Sequence, residues 1–531
     1  MKKNGRLASL FALEDGNRTD TLDIARQCAR LTTPWILPED ARTEGEKLFR
    51  QNQSLGNRGV ANLQGKLLLA LYPPDYPFFQ ITLDPEFQYD PSVPAEFKQQ
   101  IADRLWLQQL QIAATLESAT VVSQSRPGAG FRVAQHHSIG QMIVTGDSLE
   151  EITDDYKFKV HRRDNYVTRR DGSGNVIYHV TRESIDPMSL SEADLLKAEL
   201  SPGELREKSA QSRMMNMLTI HEWNYQSRTW VIEQEINGHI IRTSEEPESR
   251  VFSTPFQLIT GENYGHGFVE GLAADLLSYD TLCAKHLQAV GTMVRMVPVI
   301  DPSSSTQESD LTRPSGEPIR SRVSGGQVQD IAFLQTQKNG DLIPVNQRMD
   351  KLEANIAKAF LLESAIQPQK ERVTAAQIGR IAEEVEGATG GLYIPISEGK
   401  HLPLLRRVRW QMKRDGLLPA MPERAEKMVR FKVLTGITAL AQQARMGRIL
   451  TLTQAMAAIS PNGLSRIDEG VLARELERAS NIHAPGLVKS DERMEQDQQK
   501  AIRAQAQVAA NEQIAKTAGK VIETAAAGAG V

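Results

Sequence analysis

The spacing of apolar residues changes along the chain and predicts where helices give way to strands. Apolar residues recur every three or four positions over residues 59–72, which predicts a helix that Pro73 ends. A similar pattern predicts a longer helix over residues 95–122. The β-favouring run over residues 78–83 predicts a short strand between the two helices.

Strand signals dominate from residue 166 to about residue 260. The β-rich runs are residues 166–168, 176–180, 218–223, 230–235 and 239–241. Residues 171–175 include Asp, Gly and Asn, which tolerate a positive φ, so the first two runs are predicted to form a hairpin. Asn237 and Gly238 form a second turn signal. This part of the chain is therefore expected to be mixed α and β.

Two long amphipathic helices are predicted further along, with a polar segment between them. The first covers residues 272–296, and the apolar residues on one of its faces are Leu272, Leu276, Tyr279, Cys283, Leu287, Val290 and Val294. The second presents Met349, Leu352, Ile356 and Phe360 on one face. Residues 298–343 are rich in Ser, Gly, Pro and Gln and predict an excursion with few apolar anchors. The expected fold class is α+β and predominantly helical.

The last part of the chain is expected to be helical and then low in complexity. Thr374 and Gln377 have the spacing of a capping box, which predicts the start of a further helix. Residues 401–430 are locally basic, and residues 431–482 are predicted to be all-helical and compact. From about residue 488 the chain is a tract of Gln, Ala and Glu.

Charge and cysteine content exclude several classes of protein. Lys and Arg number 62 against 66 Asp and Glu, so the net charge is −4, which excludes a protein held on nucleic acid by bulk positive charge. Two cysteines, Cys28 and Cys283, are too few for a disulfide framework or a cysteine-based zinc site. No apolar run is long enough for a membrane span. We therefore expect no membrane partner, no metal and no cofactor.

The motifs that suggest catalysis are incomplete. Residues 59–67 resemble a phosphate-binding loop, but five residues separate the glycines where four are needed, and Leu67 stands at the metal-binding hydroxyl position. His221 and Glu222 begin a zinc-protease motif, but Tyr225 replaces its second histidine, so we expect His221 to be a hydrogen-bonded strand residue. His136 and His137 have no partner at ligand spacing and are expected to be surface or core residues. No catalytic residue is predicted. A catalytic pair of carboxylates, one from each of two domains, remains an open alternative.

Several segments together resemble the portal, or head-to-tail connector, proteins of short-tailed double-stranded DNA phages. They include residues 59–73 with their Asn-Leu-x-x-Lys-Leu-x-Leu-Ala-Leu pattern, the hairpin at residues 166–185, and Gly-Glu-Asn-Tyr-Gly at residues 261–265. The most specific stretch is residues 359–405, which contains Glu-Arg-Val-Thr-Ala at 371–375 and Ala-Thr-Gly-Gly-Leu-Tyr at 388–393. These segments occur in order over some 400 residues.

The resemblance implies a subunit that forms a ring, typically of twelve copies, at one capsid vertex. Such a ring carries the channel through which the terminase packages double-stranded DNA, and it later holds the tail and releases the genome. The implied partners are further copies of the chain, double-stranded DNA, the terminase large subunit, and capsid, scaffold and tail adaptor proteins. The implied location is the portal vertex of the virion, after assembly in the host cytoplasm. A ring adaptor without DNA passage and an enzyme with an unrecognised active site are the alternatives.

The resemblance also implies a division of the chain into the parts of a portal subunit. The wing would comprise residues 1–271 and 374–430, the two stem helices residues 272–297 and 344–366, the clip residues 298–343, the tunnel loop residues 367–373, the helical crown residues 431–487, and the helical barrel or tail residues 488–531.

Three groups of residues are candidates for function within this division. The tunnel-loop residues expected to touch passing DNA are Gln367, Gln369, Lys370 and Arg372. The basic residues that could face packaged DNA are Arg406, Arg407, Arg409, Lys413 and Arg414. The residues expected to pack the stem, within or between subunits, are Leu276, Leu287, Val294, Leu352, Ile356 and Phe360. For the tunnel-loop residues and the basic residues, the alternative is a solvated surface without DNA contact. For the basic residues, ion pairs with a neighbouring subunit are a further alternative.

Overall fold

The computed structural model describes most of the chain in two compact units. The described residues are 5–39, 50–73, 77–88, 92–118, 130–209, 212–294, 297–300, 339–362, 375–434 and 447–456, with scattered positions from 302 to 334 and from 458 to 476. One unit contains residues 1–78 and 112–418, and the other contains residues 79–111 and 419–531. Among the described residues, no helix is long and apolar enough to cross a membrane.

Helices supply most of the regular structure. In chain order they are α1 (Arg6–Asn17), α2 (Thr19–Leu31), α3 (Leu55–Leu71), α4 (Pro85–Gln88), α5 (Ala95–Ser118), α6 (Phe131–Thr145), α7 (Glu192–Lys197), α8 (Pro202–Glu207), α9 (Phe268–Val294), α10 (Asn339–Ala359), α11 (Ala375–Thr389), α12 (Tyr393–Ile396), α13 (Leu402–Arg414) and α14 (Glu423–Glu426). A π-helical turn, Ser397–His401, joins α12 to α13.

The strands form antiparallel sheets. They are β1 (Phe79–Leu83), β2 (Asp147–Ile152), β3 (Phe158–His161), β4 (Tyr166–Arg170), β5 (Val176–Ile185), β6 (Met215–Asn224), β7 (Thr229–Ile236), β8 (His239–Glu246), β9 (Val251–Pro255), β10 (Val297–Ile300), β11 (Val323–Ser324), β12 (Gln327–Val328), β13 (Ile331–Leu334) and β14 (Val429–Val433). The larger unit contains a five-stranded sheet in the order β4-β5-β6-β7-β8 and a three-stranded sheet in the order β3-β2-β9.

The five-stranded sheet has one apolar face and one polar face. On the apolar face, Leu7 and Phe11 of α1 form a buried cluster with sheet residues that include Val180 and Leu218. The opposite face carries the polar residues at alternate positions of β5 and β6, because successive side chains of a strand point to opposite sides. This polar face contacts the three-stranded sheet through Glu183, which pairs with Lys159 and His161 of β3.

An aromatic cluster lies among the helices of the larger unit. The ring of Tyr72, just after α3, makes edge contacts with Phe78 and Phe131, each with ring centroids 5.1 Å apart. The Tyr72 hydroxyl donates to Gln135 of α6, and His401 of the π-helical turn contacts the same hydroxyl. Phe131 also contacts Phe158 of β3, with ring centroids 5.1 Å apart, so the cluster reaches the three-stranded sheet.

The smaller unit is built on the β1–β14 pair. Phe79 pairs with Val433 and Leu83 with Val429. Helix α5 supports the pair, because Gln109 accepts a hydrogen bond from the backbone of Ile81. Residues 431–433 lie in β14, which corrects the prediction that residues 431–482 are all-helical. Its partner β1 lies about 350 residues earlier in the chain, and local periodicity does not reveal so distant a partner.

Other predicted elements are found in the structure, but the bounds of both long helices differ from those expected. Helix α9 begins at Phe268 rather than at residue 272, and α10 ends at Ala359 rather than at residue 366. The helix over residues 59–72, the strand at residues 78–83 and the hairpin at residues 166–185 are confirmed as α3, β1 and β4–β5. Helix α10 begins at Asn339 rather than at residue 344, and Pro344 lies inside it. Residues 298–343 also contain more structure than predicted, because β10 pairs with β13 and β11 with β12. The mixed α+β class is confirmed.

Candidate functional site

The first candidate site is the pair of long helices, α9 and α10. Leu276 of α9 is fully buried, and so are Ile356 and Phe360 at the end of α10, while Leu352 is nearly so. The ring of Phe360 makes an edge contact with Phe268 at the start of α9, with centroids 5.5 Å apart. Four of the six residues expected to pack the stem are therefore buried within a single chain.

Polar contacts fix the position of α9 on both sides. The hydroxyl of Tyr279 donates to Glu353 of α10 over 3.1 Å, and burial together with this carboxylate raises the pKa of Tyr279. Asn52 donates from its backbone and its side chain to the two oxygens of Asp280, over 2.7 and 3.1 Å. These contacts give α9 a defined rotation, so that one face turns inward.

Helix α9 presents several apolar residues to solvent. Leu287 is 71% exposed, and Leu277 and Val290 are exposed as well. Leu287 was expected to be buried within or between subunits. Burial within the chain does not occur, because the buried residues of α9 lie in its first half. Burial of Leu287 between subunits stays a prediction. Val294 ends α9, and its side chain lies outside the described part of the structure.

The end of α10 is held by three residues of α3. Gly59 lies against the ring of Phe360, and a Cβ built on Gly59 would be 2.5 Å from two ring carbons. Asn62 donates from its side-chain amide to the backbone oxygens of Phe360 and Leu361, over 3.0 and 2.9 Å. Lys66 donates to the oxygen of Leu361 over 3.2 Å. Leu361 has a φ of +55°, so the chain leaves the helix there in a left-handed conformation.

Lys66 also joins this helix end to α11. Its ammonium group lies 3.1 Å from a carboxylate oxygen of Glu384, and the lysine side chain is fully buried. The two chain segments that flank residues 363–374 are therefore both held by α3. The tunnel-loop candidates Gln367, Gln369, Lys370 and Arg372 lie in that interval, outside the described residues.

Gly59, Asn62 and Lys66 are functional candidates that were not predicted from the sequence. They belong to the segment at residues 59–73 that carries the portal resemblance. A signal was present, because Asn62 and Lys66 interrupt the apolar residues of α3 at a helical spacing of four. A polar residue on a buried face needs a partner, and here the partner is the backbone at the end of another helix.

Arg407 is not a surface residue and does not face DNA from within a single chain. It is fully buried and pairs with Glu246 of β8, and it also donates to the backbone oxygen of Glu248 over 3.2 Å. Its guanidinium lies 4.6 Å from the centroid of the Trp410 ring, and burial lowers its pKa. The prediction is wrong for Arg407 because this position lies on the inward face of α13, beside Leu404 and Val408.

The other basic candidates of α13 do not share one environment. Arg406 and Lys413 are exposed, and Arg409 is half-buried. Arg414 lies 2.9 Å from Asp415 and 3.4 Å from Asp154, so its charge is largely balanced within the chain. Arg406, Arg409 and Lys413 are spaced by three and four residues and so share one side of the helix. Contact of these three residues with DNA stays a prediction.

The histidines of the incomplete catalytic motifs lie on β6 and α6. His221 is in β6 as predicted and is 1% exposed, but neither of its ring nitrogens has a hydrogen-bond partner. The expectation of a hydrogen-bonded histidine is therefore wrong. His136 and His137 are exposed on α6, and Gln64 contacts His136 over 3.1 Å.

Comparison with known proteins identifies the family. Residues 4–488 match the model of the family described as bacteriophage head to tail connecting protein. The portal protein of Enterobacteria phage T3 is 28% identical over 478 residues, which are 88% of this chain and 85% of that protein. The portal protein of Escherichia phage T7 is 27% identical over 483 residues, 89% of this chain and 86% of that protein.

More distant similarities extend the same comparison. The portal protein of Enterobacteria phage SP6 is 23% identical over 532 residues, covering 98% of this chain and 97% of that protein. A solved structure, the neck of an empty GTA particle computed with C6 symmetry, is 13% identical with a TM-score of 0.33 over 75% of this chain and 86% of that one. That score is too low to carry an argument about the fold. The family match covers most of the 531 residues, and the chain belongs to the family of bacteriophage head to tail connecting proteins.

Proposed function

We propose that this chain is a portal protein, which forms a ring at one vertex of a phage capsid and acts as a conduit for double-stranded DNA, not as an enzyme. The observation that carries the proposal is the family match over residues 4–488, together with three portal proteins that align over at least 85% of their own length. The ring is expected to have twelve copies, as is typical of the family.

The paired long helices support the proposed ring. A head-to-tail interface closes into a ring when the rotation between subunits allows it. Such an interface needs a surface that a single chain leaves open. Helix α9 offers one, because Leu277, Leu287 and Val290 are exposed along it, while Leu276 and Tyr279 are buried. We therefore assign α9 and α10 to the stem and place the contact between neighbouring copies along α9.

The charge of the chain suits a surface along which DNA slides. A conduit must let the duplex move. Each protein–phosphate contact steepens the slope of log binding constant against log salt concentration by about 0.9. Ten or more firm contacts would cost on the order of 10 kcal/mol to break at each step, at about 1 kcal/mol for each hydrogen bond. A net charge of −4 for each chain favours few and transient contacts. We assign those contacts to Gln367, Gln369, Lys370 and Arg372.

The remaining parts of the chain are assigned by the same proposal. The mixed α/β region up to residue 271 and residues 374–430 would form the wing, and residues 431–487 and 488–531 would form the crown and the barrel. The segment from β10 to β13, within residues 298–343, would be the clip, where the terminase large subunit and later the tail adaptor proteins dock. The wing would contact capsid and scaffold proteins. Assembly would take place in the host cytoplasm, and the ring would remain in the virion.

The proposal is tested by imaging the purified full-length chain. Negative-stain images should show rings with a central opening, and native mass measurements should give a single large assembly of about twelve chains. A chain that stays monomeric at every concentration would contradict the proposal. Rings with a channel too narrow for a DNA duplex would instead support the adaptor alternative. Metal- or inhibitor-sensitive turnover by the purified protein would favour the enzyme alternative.

A further inference from the structure

A short segment, residues 261–267, connects the five-stranded sheet to the start of helix α9, which begins at the next residue. The hydroxyl of Tyr264 accepts a hydrogen bond from the backbone N–H of Thr168 over 2.9 Å. The side-chain oxygen of Asn263 accepts one from the N–H of Arg170, also over 2.9 Å. Both donors lie in β4, an edge strand of the sheet. Because an edge strand has N–H groups without a strand partner, the segment takes the place of a neighbouring strand.

The backbone of the same segment packs closely on the turn before β2. A Cβ built on Gly146 would be 2.1 Å from the backbone oxygen of Gly265. Asp147, the first residue of β2, accepts a hydrogen bond from the backbone of Gly265, and burial raises the pKa of this aspartate. The backbone of His266 pairs with that of Gln257 over 2.8 and 3.3 Å. The segment is therefore held by both sheets of the larger unit.

The side chain of His266 joins this segment to α9. Its Nε2 lies 2.8 Å from a carboxylate oxygen of Glu262, and its Nδ1 lies 3.0 Å from one of Glu270, in the first turn of α9. A neutral imidazole has one N–H, and an ionised carboxylate can only accept. Neutral His266 can therefore donate to one of the two carboxylates, while the protonated ring donates to both. The observed geometry fits the protonated form.

A cavity of about 270 Å³ lies beside this contact and shows which other charged groups face it. Besides His266 and its two carboxylates, the ionisable residues that line the cavity are Glu14, Arg18, Cys28 and Tyr264. The guanidinium of Arg18 donates to Asp15 over 2.9 and 2.6 Å, and Glu14 accepts from the hydroxyl of Tyr178 over 2.8 Å. Burial raises the pKa of Cys28 to about 12, so its thiol stays neutral. Among these described lining residues, histidine is the type that ordinarily changes charge between pH 5 and 8.

We propose that His266 is a pH-sensitive bridge, which fixes the start of α9 to residues 261–267 when it is protonated and releases it when it is neutral. The hydrogen bond to Glu270, helped by the one to Glu262, raises the pKa of His266 against the effect of burial. A group whose pKa is raised in the folded state stabilises it fully below its ordinary value of 6.5 and loses this effect as the pH rises through the raised pKa. The bridge is therefore closed below pH 6.5 and opens above it.

The bridge determines how firmly α9 is held at the place where it leaves the sheets. The contacts of Asn263 and Tyr264 with β4 do not involve His266, so the segment stays on the sheet when the bridge opens. The change is confined to the link between the segment and the first turn of α9. This inference concerns the single chain and does not rest on the proposed portal function.

The first experiment measures hydrogen exchange by mass spectrometry in the full-length protein from pH 6 to pH 9. Exchange rates are corrected for the pH dependence of the chemical exchange step, and the peptide that covers residues 257–272 is followed. Its protection should fall by about two- to fivefold as the pH rises above 6.5, since partly exposed ion pairs change a local equilibrium by up to about that factor. Protection that stays constant over this range would overturn the proposal.

Variants show whether His266 is the group responsible. The His266→Gln protein has no ionisable group at this position, so the protection of the peptide should not depend on pH. The Glu270→Gln variant keeps the histidine and should show a smaller pH effect than the wild type. The matched control is His137→Gln, because His137 is exposed on α6 and should not affect the profile. A His266→Gln protein that keeps the wild-type profile would contradict the proposal.

A second experiment follows the protonation of His266 itself. Diethyl pyrocarbonate modifies neutral imidazole, so the rate of modification of His266 against pH, read by peptide mass mapping, gives the midpoint of its titration. The midpoint should lie above 6.5 in the wild type and fall in Glu262→Gln and in Glu270→Gln, because each change removes a carboxylate that favours the proton. A wild-type midpoint at or below 6.5, or one that neither variant lowers, would overturn the proposal.

Discussion

The backbone of Gly59 lies directly against the aromatic ring of Phe360, so that the ring fills the space between helix α3 and the end of α10. Asn62 and Lys66, on the same helix, hold the backbone just beyond Phe360. The chain then turns at Leu361 and enters the interval that contains the proposed tunnel loop. Close packing at Gly59 therefore sets where that loop begins.

The Gly59→Ala substitution should destabilise this junction. The added Cβ would be 2.5 Å from ring carbons of Phe360, and the ring is fully buried. Overpacking of this kind costs about 1–3 kcal/mol, which should appear as a lower urea midpoint. The control is Gly271→Ala in α9, where a Cβ meets nothing within 4 Å. That variant should be as stable as the wild type or up to about 1 kcal/mol more stable.

A buried ion pair stabilises the joint between the π-helical turn and β2. Lys400 pairs with Glu150, and both side chains are almost fully buried. The Lys400→Met variant would leave the carboxylate of Glu150 buried without its cation, which costs about 3–5 kcal/mol. Adding Glu150→Gln should recover part of that loss, because it removes the unpaired charge. Urea unfolding of the single and double variants measures both effects, and a Lys400→Met protein of wild-type stability would contradict this account.

His401 should make the stability of the protein depend on pH. Burial, helped by the charge of Lys400, lowers its pKa from 6.5 to about 3. Both the folded and the unfolded states hold a neutral His401 above pH 6.5, and between about pH 6.5 and 3 only the unfolded state gains the proton. This group therefore lowers the free energy of unfolding as the pH falls through that window, by up to about 1.4 kcal/mol for each pH unit.

The His401→Gln variant isolates this contribution. Its urea midpoint should fall less steeply between pH 6.5 and 4 than that of the wild type, although it is less stable at neutral pH because the contact with Tyr72 changes. The exposed His137→Gln serves as the control and should keep the wild-type slope. Equal slopes in all three proteins would show that His401 is not the group responsible.

Local features of the fold could be predicted from the sequence, and long-range ones could not. The turn at Asn237 and Gly238 has φ values of +53° and +83°, as the Asn-Gly signal predicts. The residues of α3 and α9 likewise followed their apolar spacing. Arg407 was predicted wrongly because its partner Glu246 lies 161 residues away in the chain. The strand at residues 429–433 was not predicted because its partner is the distant strand β1. Charged side chains are usually found at the surface, and only the tertiary contacts show that a charged side chain such as that of Arg407 is buried.

The exposed half of α9 provides a test of ring assembly. Leu287→Asp should leave the fold of the single chain intact, because Leu287 is 71% exposed there. In a ring it would place an unpaired charge in the interface, which is costly. We expect the ring fraction to fall at least about tenfold, since a loss of 1.4 kcal/mol already changes an equilibrium tenfold.

Native mass measurements of Leu287→Asp are compared with those of Leu196→Asp. Leu196 is 81% exposed on α7, so the same change is made on a surface that the stem proposal does not use. The Leu196→Asp protein should form rings normally. Normal rings in both variants would move the subunit interface away from α9.

The last prediction concerns the proposed tunnel loop. Twelve copies of Lys370 and Arg372 would form two rings of positive charge around the channel. DNA presents one phosphate charge for each roughly 1.7 Å of its axis, and twelvefold symmetry does not match the duplex in register, so only a few cations can engage a phosphate at once. Such contacts would resist leakage of the genome without stopping its movement.

Removing both charges, as Lys370→Ala with Arg372→Ala, should therefore leave ring assembly unchanged and alter packaging efficiency or genome retention. The effect should be larger at low salt, because the screening length shrinks from about 30 Å at 0.01 M to about 8 Å at 0.15 M ionic strength. The matched control is Arg206→Ala with Lys208→Ala, two exposed cations with the same spacing. Packaged DNA length and leakage are measured for both double variants across ionic strength. If the loop variant behaves as the wild type does at every salt concentration, Lys370 and Arg372 do not contact the DNA. If the control variant loses packaging or retention to the same extent, the effect comes from the net charge of the chain. A local contact with DNA would affect the Lys370 and Arg372 variant alone.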